Sequence, residues 1–338
     1  MPPDHLELRG CRHDILGHYL KAIGLLRVLA KCADAEHRDT NAEGWWDSAT
    51  GAFHLRSSKY GTAEKLTEFF EKHYRPTPVF AAWNGDSGLK AADAAKLGVQ
   101  SAWQVASDLS VQVVSAADRK KPQHKDKLIA QEALALYRDA AKDAVTESID
   151  AVSASFIRFN SENDLFMSKG VAGRSHILRT FWGYVVDFAK LKKKYTDAKA
   201  KFSTATARTR PNLEAKMQSA QDAFVTHLLT GKNPVPAKGK GTPFFPDAIK
   251  TYNVGSGWVE EKFPFTSLDY ILAVEGAFAM RGSVSRTLGA NTRRFAAFPF
   301  VFDSGEDLVD KENKVKGTAS SLWFPVWERV ATYEELSS

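Results

Sequence analysis

The sequence predicts an α+β fold: helix-rich, with a small mixed or antiparallel sheet and a basic helical hairpin inserted into it. Three observations predict it. Segments with apolar residues at helical spacing recur along the chain, at Asp14–Cys32, Leu66–Tyr74, Lys127–Tyr137 and Leu268–Ala279. Strand-like runs are short and gather toward the two ends, at Leu6–Cys11 and Gly51–Leu55, and again at Phe295–Phe302 and Leu322–Trp327. Between them, 185–229 carries two apolar stripes separated by a polar turn.

A chain of 338 residues that is 43% hydrophobic supports a sizeable core. We divide it into an N-terminal α/β lobe (1–118), a helical region (119–235) and a C-terminal α/β lobe (236–338). No apolar run approaches the about 18 residues of a membrane span. Met1-Pro2-Pro3-Asp4 has no basic-then-apolar leader pattern, so a cytoplasmic location is expected. Cys11 and Cys32 have neither metal-ligand spacing nor a disulfide-rich setting and read as reduced thiols, Cys32 as packing. No zinc-ligand spacing, Gly-x-Ser-x-Gly elbow, P-loop or Asp/Glu-x-Lys nuclease core stands out, so a non-catalytic protein without metal or cofactor is expected.

In order, Leu6–Cys11 reads as a strand. Asp14 is placed to cap a helix to about Cys32, with Leu16, Leu20, Ile23, Leu26 and Ala30 on one face. Gly17 and Gly24 lie on nearly one stripe of it. Each costs about 1 kcal/mol relative to alanine, which close approach of another backbone would offset. His13-Asp14 is also the adjacent pair of metal-dependent phosphohydrolases. Gly44–Asp47 reads as a turn and Gly51–Leu55 as a strand, with Trp45 and Trp46 either core or a base-stacking platform. The helix Leu66–Tyr74 delivers the chain to Pro76–Leu89. There two prolines, an apolar run to Trp83 and Asn84-Gly85-Asp86-Ser87-Gly88 make either a surface turn or an anion-holding nest.

Leu89–Leu97 and Ala102–Val114 read as weakly patterned helices. Arg119–Lys127 is a basic, proline-containing loop in which Lys120, Lys121, Lys125 and Lys127 suit phosphate contacts. Phe156–Phe159 reads as a strand. Ser168–His176, with Arg174, opens a helix to about Phe188 in a way that suits an anion. Leu191, Tyr195, Ala198 and Phe202 form one apolar stripe. After the Ser203–Arg210 turn and Pro211, residues Leu213, Met217, Ala220, Phe224 and Leu228 form the second. Val185–Leu229 is therefore an antiparallel hairpin with its lysines outward and Arg208 and Arg210 at the tip. Gly231–Pro246 is a linker and Asn253–Trp258 a turn. Leu268–Ala279 is an apolar helix in which Glu275 pairs with a base. Phe295, Phe298, Phe300 and Phe302 form a core strand, Lys311–Lys316 a loop and Leu322–Trp327 a closing strand.

Charge is concentrated. Lys190–Lys216 holds nine basic and two acidic residues, a local excess of +7 against a whole-chain net of +6, so the remainder sums to −1. Such a patch suits a polyanion, or is a solvated lysine-rich face. Lys192, Lys193, Lys194, Arg208 and Arg210 are its candidate contacts. Arg281, Arg286, Arg293 and Arg294 form a second cluster, suited to phosphate or guanine, or to pairing with the acidic Asp303–Asp310 region.

Three blocks carry a family resemblance. The first is Leu8-Arg9-Gly10-Cys11-Arg12, Leu16 and Tyr19–Arg27. The second is Tyr74, Pro76, Thr77, Pro78, Trp83, Asn84, Gly85, Ser87 and Gly88. The third is Leu268–Ala277, Val284-Ser285-Arg286, Phe298-Pro299-Phe300 and Leu322–Trp327. In order and content they resemble the N-terminal part of the large subunit of the type I-G (formerly type I-U) CRISPR Cascade surveillance complex. The family's Gly-rich Asn-Asp-Gly motif is represented only by Asn160–Asp164 and Gly170–Arg174, and its C-terminal helical part does not follow Trp327. The resemblance implies a non-catalytic subunit that binds the crRNA 5′ region and target double-stranded DNA, recognises the flanking motif and helps open the duplex. It implies Cascade backbone and crRNA-capping subunits, a recruited helicase-nuclease and a separate small subunit as partners. Asn84 and Ser87 would be groove readers and the four arginines clamps. The alternatives are a metal-dependent nuclease or phosphohydrolase using His13 and Asp14, and a structural adaptor without nucleic-acid contact.

Overall fold

The computed structural model describes residues 5–32, 34–77, 176–232, 236–237, 244–245, 265–277, 279, 282–286, 293–297, 300–309, 315–323 and 325–337. The segments expected at 89–97, 102–114, 119–144, 156–159 and 253–258 lie outside them, as does the Pro76 loop beyond Thr77. The fold is α+β. Strands β1 (Leu6–Arg12), β2 (Glu43–Trp46), β3 (Ala52–Arg56) and β8 (Ala331–Thr332) form an antiparallel sheet in the order β1-β3-β2-β8. The Gly44–Asp47 turn is not observed. Two consecutive tryptophans favour a pleated strand, which gives each its own face. Trp46 is fully buried and stacks on Tyr19 at 5.6 Å. Trp45 is half-buried and stacks on His54 at 5.3 Å.

Helix α1 (Leu16–Ala30) lies at the centre. It was expected to bury one face, yet every residue from Gly17 to Ala30 is buried. The sheet covers one side and α6 (Ser267–Ala277) another, leaving no side for water. Asp14 does not cap it. Ile15 occupies the cap position, and the Asp14 carboxylate instead accepts Nε (3.0 Å) and Nη2 (2.7 Å) of Arg12. The planar guanidinium fork offers two bonds where a cap offers one.

The backbone approach expected at Gly24 is present. A Cβ there would lie 1.9 Å from the Leu272 carbonyl oxygen, and one on Gly276 would lie 1.9 Å from that of Leu20. The two helices cross through reciprocal glycine notches. At Gly17 the neighbour is the Phe245 ring, while the Gly17 N–H donates to the Phe244 carbonyl at 3.0 Å.

A helix buried all round must pair its polar side chains. Lys21 Nζ meets Asp269 Oδ1 at 2.7 Å, both fully buried. Asp269 Oδ2 is held by His227 and by the Thr266 N–H at 2.7 Å. Burial alone would raise the Asp269 carboxyl, but Lys21 and His227 outweigh it and hold it well below the usual carboxylate range. Burial pushes the neighbouring Cys11 thiol up to about 12, so Cys11 is a protonated packing thiol. Arg27 pairs with Glu275, the base expected for that carboxylate.

Helix α2 (Ala63–Glu68) continues into a π-turn at Phe69–His73. Helix α3 (His176–Ser203) is followed by α4 (Arg210–Gln221), a π-turn at Asp222–Thr226 and α5 (His227–Thr230). A second antiparallel sheet runs β4 (Gly282–Arg286), β5 (Arg293–Ala297), β6 (Phe300–Val309), β7 (Val315–Trp323) in chain order. The single strand expected over Phe295–Phe302 is two, with Phe295 opposite Phe302 in register. The closing strand expected at Leu322–Trp327 ends at Trp323, ahead of Pro325, which lacks the N–H a ladder needs. Closure is made on the first sheet instead. Trp327 Nε1 donates to the Gly44 carbonyl at 2.9 Å, and the Trp46 N–H donates to the Trp327 carbonyl at 2.9 Å. Helix α7 (Tyr333–Ser337) follows β8. One hydrophobic core thus holds Leu8 and Trp46 together with Ile271 and Tyr333.

Candidate nucleic-acid interface

The hairpin expected at 185–229 is present, as α3 packed on α4 through the predicted stripes. Burial grades along it. Tyr184, Val185, Phe188 and Tyr195 are buried on α3, and Ala220, Phe224 and Leu228 on the returning arm. Leu191, Ala198, Phe202, Leu213 and Met217 are half-buried. Phe224 stacks between Phe188 (5.2 Å) and Tyr195 (5.4 Å). Two polar anchors fix the arm to the core. Glu71, buried on the π-turn, takes Lys199 Nζ at 2.7 Å and Thr196 Oγ1 at 3.2 Å, and Ser267 Oγ donates to Asp187 at 2.9 Å. Arg208 and Arg210 stand exposed at the tip, with the Arg210 guanidinium 5.2 Å from the Phe202 ring centroid.

Along the hairpin runs a groove of about 880 Å³ with lysines from both arms. Lys190, Lys193, Lys194 and Lys201 line it from α3, and Lys216 lines it from α4 beside Asn212 and Ser219. Ala198 and Leu213 also line it. Asp197 is the acidic residue in the lining, and Lys193 is paired with it at 2.8 Å. Four lysines (190, 194, 201 and 216) remain to hold a linear anion. Apolar side chains beside several lysines suit a nucleic-acid strand, whose phosphates are anionic and whose bases and sugars offer apolar surface.

The structure sorts the expected contacts. Lys193 and Lys194 line the groove. Lys192 does not face outward: it is half-buried, and burial, with the Arg75 charge second, lowers its amine to about 8. Lys190, Lys201 and Lys216 were not singled out beforehand. For Lys190 and Lys201 the signal was in the sequence: with Lys194 and Asp197 they repeat at helical spacing one residue ahead of the apolar stripe 191, 195, 198 and 202.

Arg286, Arg293 and Arg294 fall on the β4–β5 hairpin, where the register sets Arg286 opposite Arg293 and Ser285 opposite Arg294. On the other side of β5, Arg294 is opposite Asp303 in register. Asn84, Ser87, Lys120, Lys121, Lys125, Lys127, Arg174 and Arg281 lie outside the described residues. The chain leading to Asn84 is fixed at its start. Glu275 accepts Tyr74 Oη at 3.0 Å, the Thr77 N–H at 2.8 Å and Thr77 Oγ1 at 2.8 Å, while Arg27 Nη1 donates to the same hydroxyl at 3.0 Å.

His13 and Asp14 stay apart from any grouping of metal-ligating side chains among the described residues. Asp14 is held by Arg12, and the His13 ring lies edge-on to Trp46 at 5.9 Å. No helix among the described residues is long and apolar enough to cross a membrane. Comparison with protein-family models, with curated proteins and with solved structures gave no match.

Proposed function

We propose that this chain is a non-catalytic, nucleic-acid-binding large subunit of an RNA-guided DNA surveillance complex of the type I CRISPR class. The observation that carries the proposal is the groove in which lysines 190, 194, 201 and 216, drawn from both arms of one hairpin, face a common channel. The motif blocks that resemble the type I-G large subunit supply the biological class, and the groove supplies a physical means of gripping a backbone without reading bases. In this reading the guide RNA reads most of the target by pairing. The hairpin tracks phosphates. The segment beyond Thr77, with Asn84 and Ser87, meets the flanking motif, and Arg281, Arg286, Arg293 and Arg294 clamp RNA or DNA. Cleavage falls to a recruited helicase-nuclease.

The test is reconstitution with guide RNA and backbone subunits. Co-purification of the chain with the guide, and binding of a matched duplex that depends on the sequence flanking the target, are the expected results. An assembly in which guide and target bypass the hairpin, or a purified chain that binds neither RNA nor DNA at low salt, overturns the reading. The second of these outcomes leaves a structural adaptor.

A further inference from the structure

Outside the lysine groove, three metal-ligating side chains converge from positions whose spacing in the sequence does not suggest a site. Asp34 precedes the short 3₁₀ turn Ala35–His37, and His73 ends the π-turn Phe69–His73. One ligand atom from each of Asp34, His37 and His73 lies within 4.8 Å of the others. We propose that these three residues form a Zn²⁺ site.

The donor set argues for the metal. Two imidazoles and one carboxylate suit a borderline first-row cation, whereas Mg²⁺ and Ca²⁺ prefer all-oxygen shells. The geometry argues for the site. Zinc binds imidazole nitrogen at about 2.0–2.1 Å and carboxylate oxygen at about 2.0–2.2 Å, which in a tetrahedron sets ligand atoms roughly 3.3 Å apart. His37 Nε2 lies 3.6 Å from Asp34 Oδ2. The two imidazoles are stacked, centroids 3.4 Å apart and planes 23° apart; an ion lies in the plane of each ring it binds, so binding both nitrogens swings the two rings out of this stack.

The backbone around each ligand is already held. Asp34 Oδ1 accepts the Glu36 N–H at 3.2 Å, leaving Oδ2 for the metal. The His37 carbonyl accepts the Tyr60 hydroxyl at 2.9 Å, and the His73 carbonyl accepts the Cys32 thiol at 3.7 Å. Preorganisation of this kind is what a surface cluster of unrelated side chains lacks. Asp34 is exposed, so three protein ligands leave a coordination position open to water. The ion would tie the 3₁₀ turn to the π-turn whose next residues, Tyr74–Thr77, are bound by Glu275. Its effect is therefore on the stiffness of the segment that leads into the Pro76 loop. The proposal is independent of the nucleic-acid reading.

The experiment uses the full chain, stripped with a chelator and titrated with Zn²⁺ against a chromophoric competitor, with Co²⁺ as a spectroscopic substitute. One Zn²⁺ per chain, the intense visible band of tetrahedral Co²⁺ and a higher melting temperature on Zn²⁺ addition are expected. His37→Gln and His73→Ala should abolish the stoichiometric site, and Asp34→Asn should weaken it by about 10-fold or more. Asparagine caps as well as aspartate, so Asp34→Asn keeps the fold and carries the test should a histidine variant fail to fold. Absence of stoichiometric binding, or binding equal in wild type and the Asp34→Asn and His37→Gln variants, overturns the proposal.

Discussion

Replacing Lys190, Lys194, Lys201 and Lys216 together by alanine removes the four lysines that the groove leaves without an acidic partner in its lining. Each phosphate neutralised contributes about −0.9 to the slope of log K against log salt for duplex DNA and about −0.7 for a single strand. Four contacts therefore supply a slope of roughly −3.6 or −2.8, a loss of about 100-fold in affinity between about 50 and about 200 mM salt. The quadruple variant should flatten the measured slope by about 3 and bind weakly at low salt. The assay is fluorescence anisotropy of labelled duplex and single-stranded probes of random sequence across a salt series. The side chains are exposed and alanine is the better helix former, so the melting temperature should hold within error. As a control, Lys192→Ala should change the slope far less, because that lysine is half-buried beside Arg75. An unchanged slope in the quadruple variant, or an equal change in the control, refutes the groove as the phosphate track.

Gly24→Ala places a methyl group 1.9 Å from the Leu272 carbonyl oxygen, which forces α1 and α6 apart and should cost about 2–3 kcal/mol by chemical denaturation. Asp269→Asn leaves Lys21 buried beside a neutral group and should cost about 3–5 kcal/mol, whereas Glu7→Ala, which removes an exposed pair with Arg9, should cost under about 1 kcal/mol. Glu275→Gln should speed amide exchange at Thr77, measured by hydrogen–deuterium exchange, since the charged acceptor of that N–H is lost. Lys192→Gln should stabilise the chain near neutral pH, with a pH dependence of defined sign. The folded amine is lowered from 10.5 to about 8, so below pH 8 it is charged in both states and the fold carries the whole penalty. Between about 8 and 10.5 the folded form releases its proton first, the wild type gains on the variant as pH rises, and the difference vanishes above that range.

What was legible in the sequence was local. The hairpin followed from two stripes of period 3.6 and a proline at the start of the second helix, and α6 from its apolar run. Two features were illegible for one reason: they depend on what covers an element. A pattern of Leu16, Leu20, Ile23 and Leu26 announces one apolar face, yet α1 is enclosed by the sheet and α6 together, so its other faces are buried as well. Trp45 and Trp46 became a strand through pairing with β3, a contact between residues whose proximity is set by the fold. Gly24 was the exception, since a glycine inside a helix carries a cost that an approaching backbone can offset, and the approach is present. The groove was partly legible. The lysine run was evident, but separating Lys194, which lines the channel, from Lys192, which is half-buried, requires the helical phase relative to the core.

The polar pairs inside the core bear on the same surfaces. Lys21–Asp269 and Arg27–Glu275 join α1 to α6 with the same sequence separation of 248 residues. A glycine-notched, otherwise apolar crossing could settle in neighbouring positions at little cost, but sliding either helix by one turn would break both ion pairs at once. The cost of an unpaired buried charge, several kcal/mol for each ion, therefore selects one setting. Two short polar links bracket the segment before the Pro76 loop. Glu275 on α6 holds Tyr74 and Thr77, where the loop begins, and Glu71 on the π-turn just ahead of Tyr74 holds Thr196 and Lys199 on α3. One buried carboxylate thus ties the start of the loop to α6, and another ties the π-turn to the basic hairpin. On the proposed function, a phosphate track and the loop that follows Thr77 would need a fixed separation, and these two glutamates hold the chain on either side of Tyr74, one to α6 and the other to the hairpin.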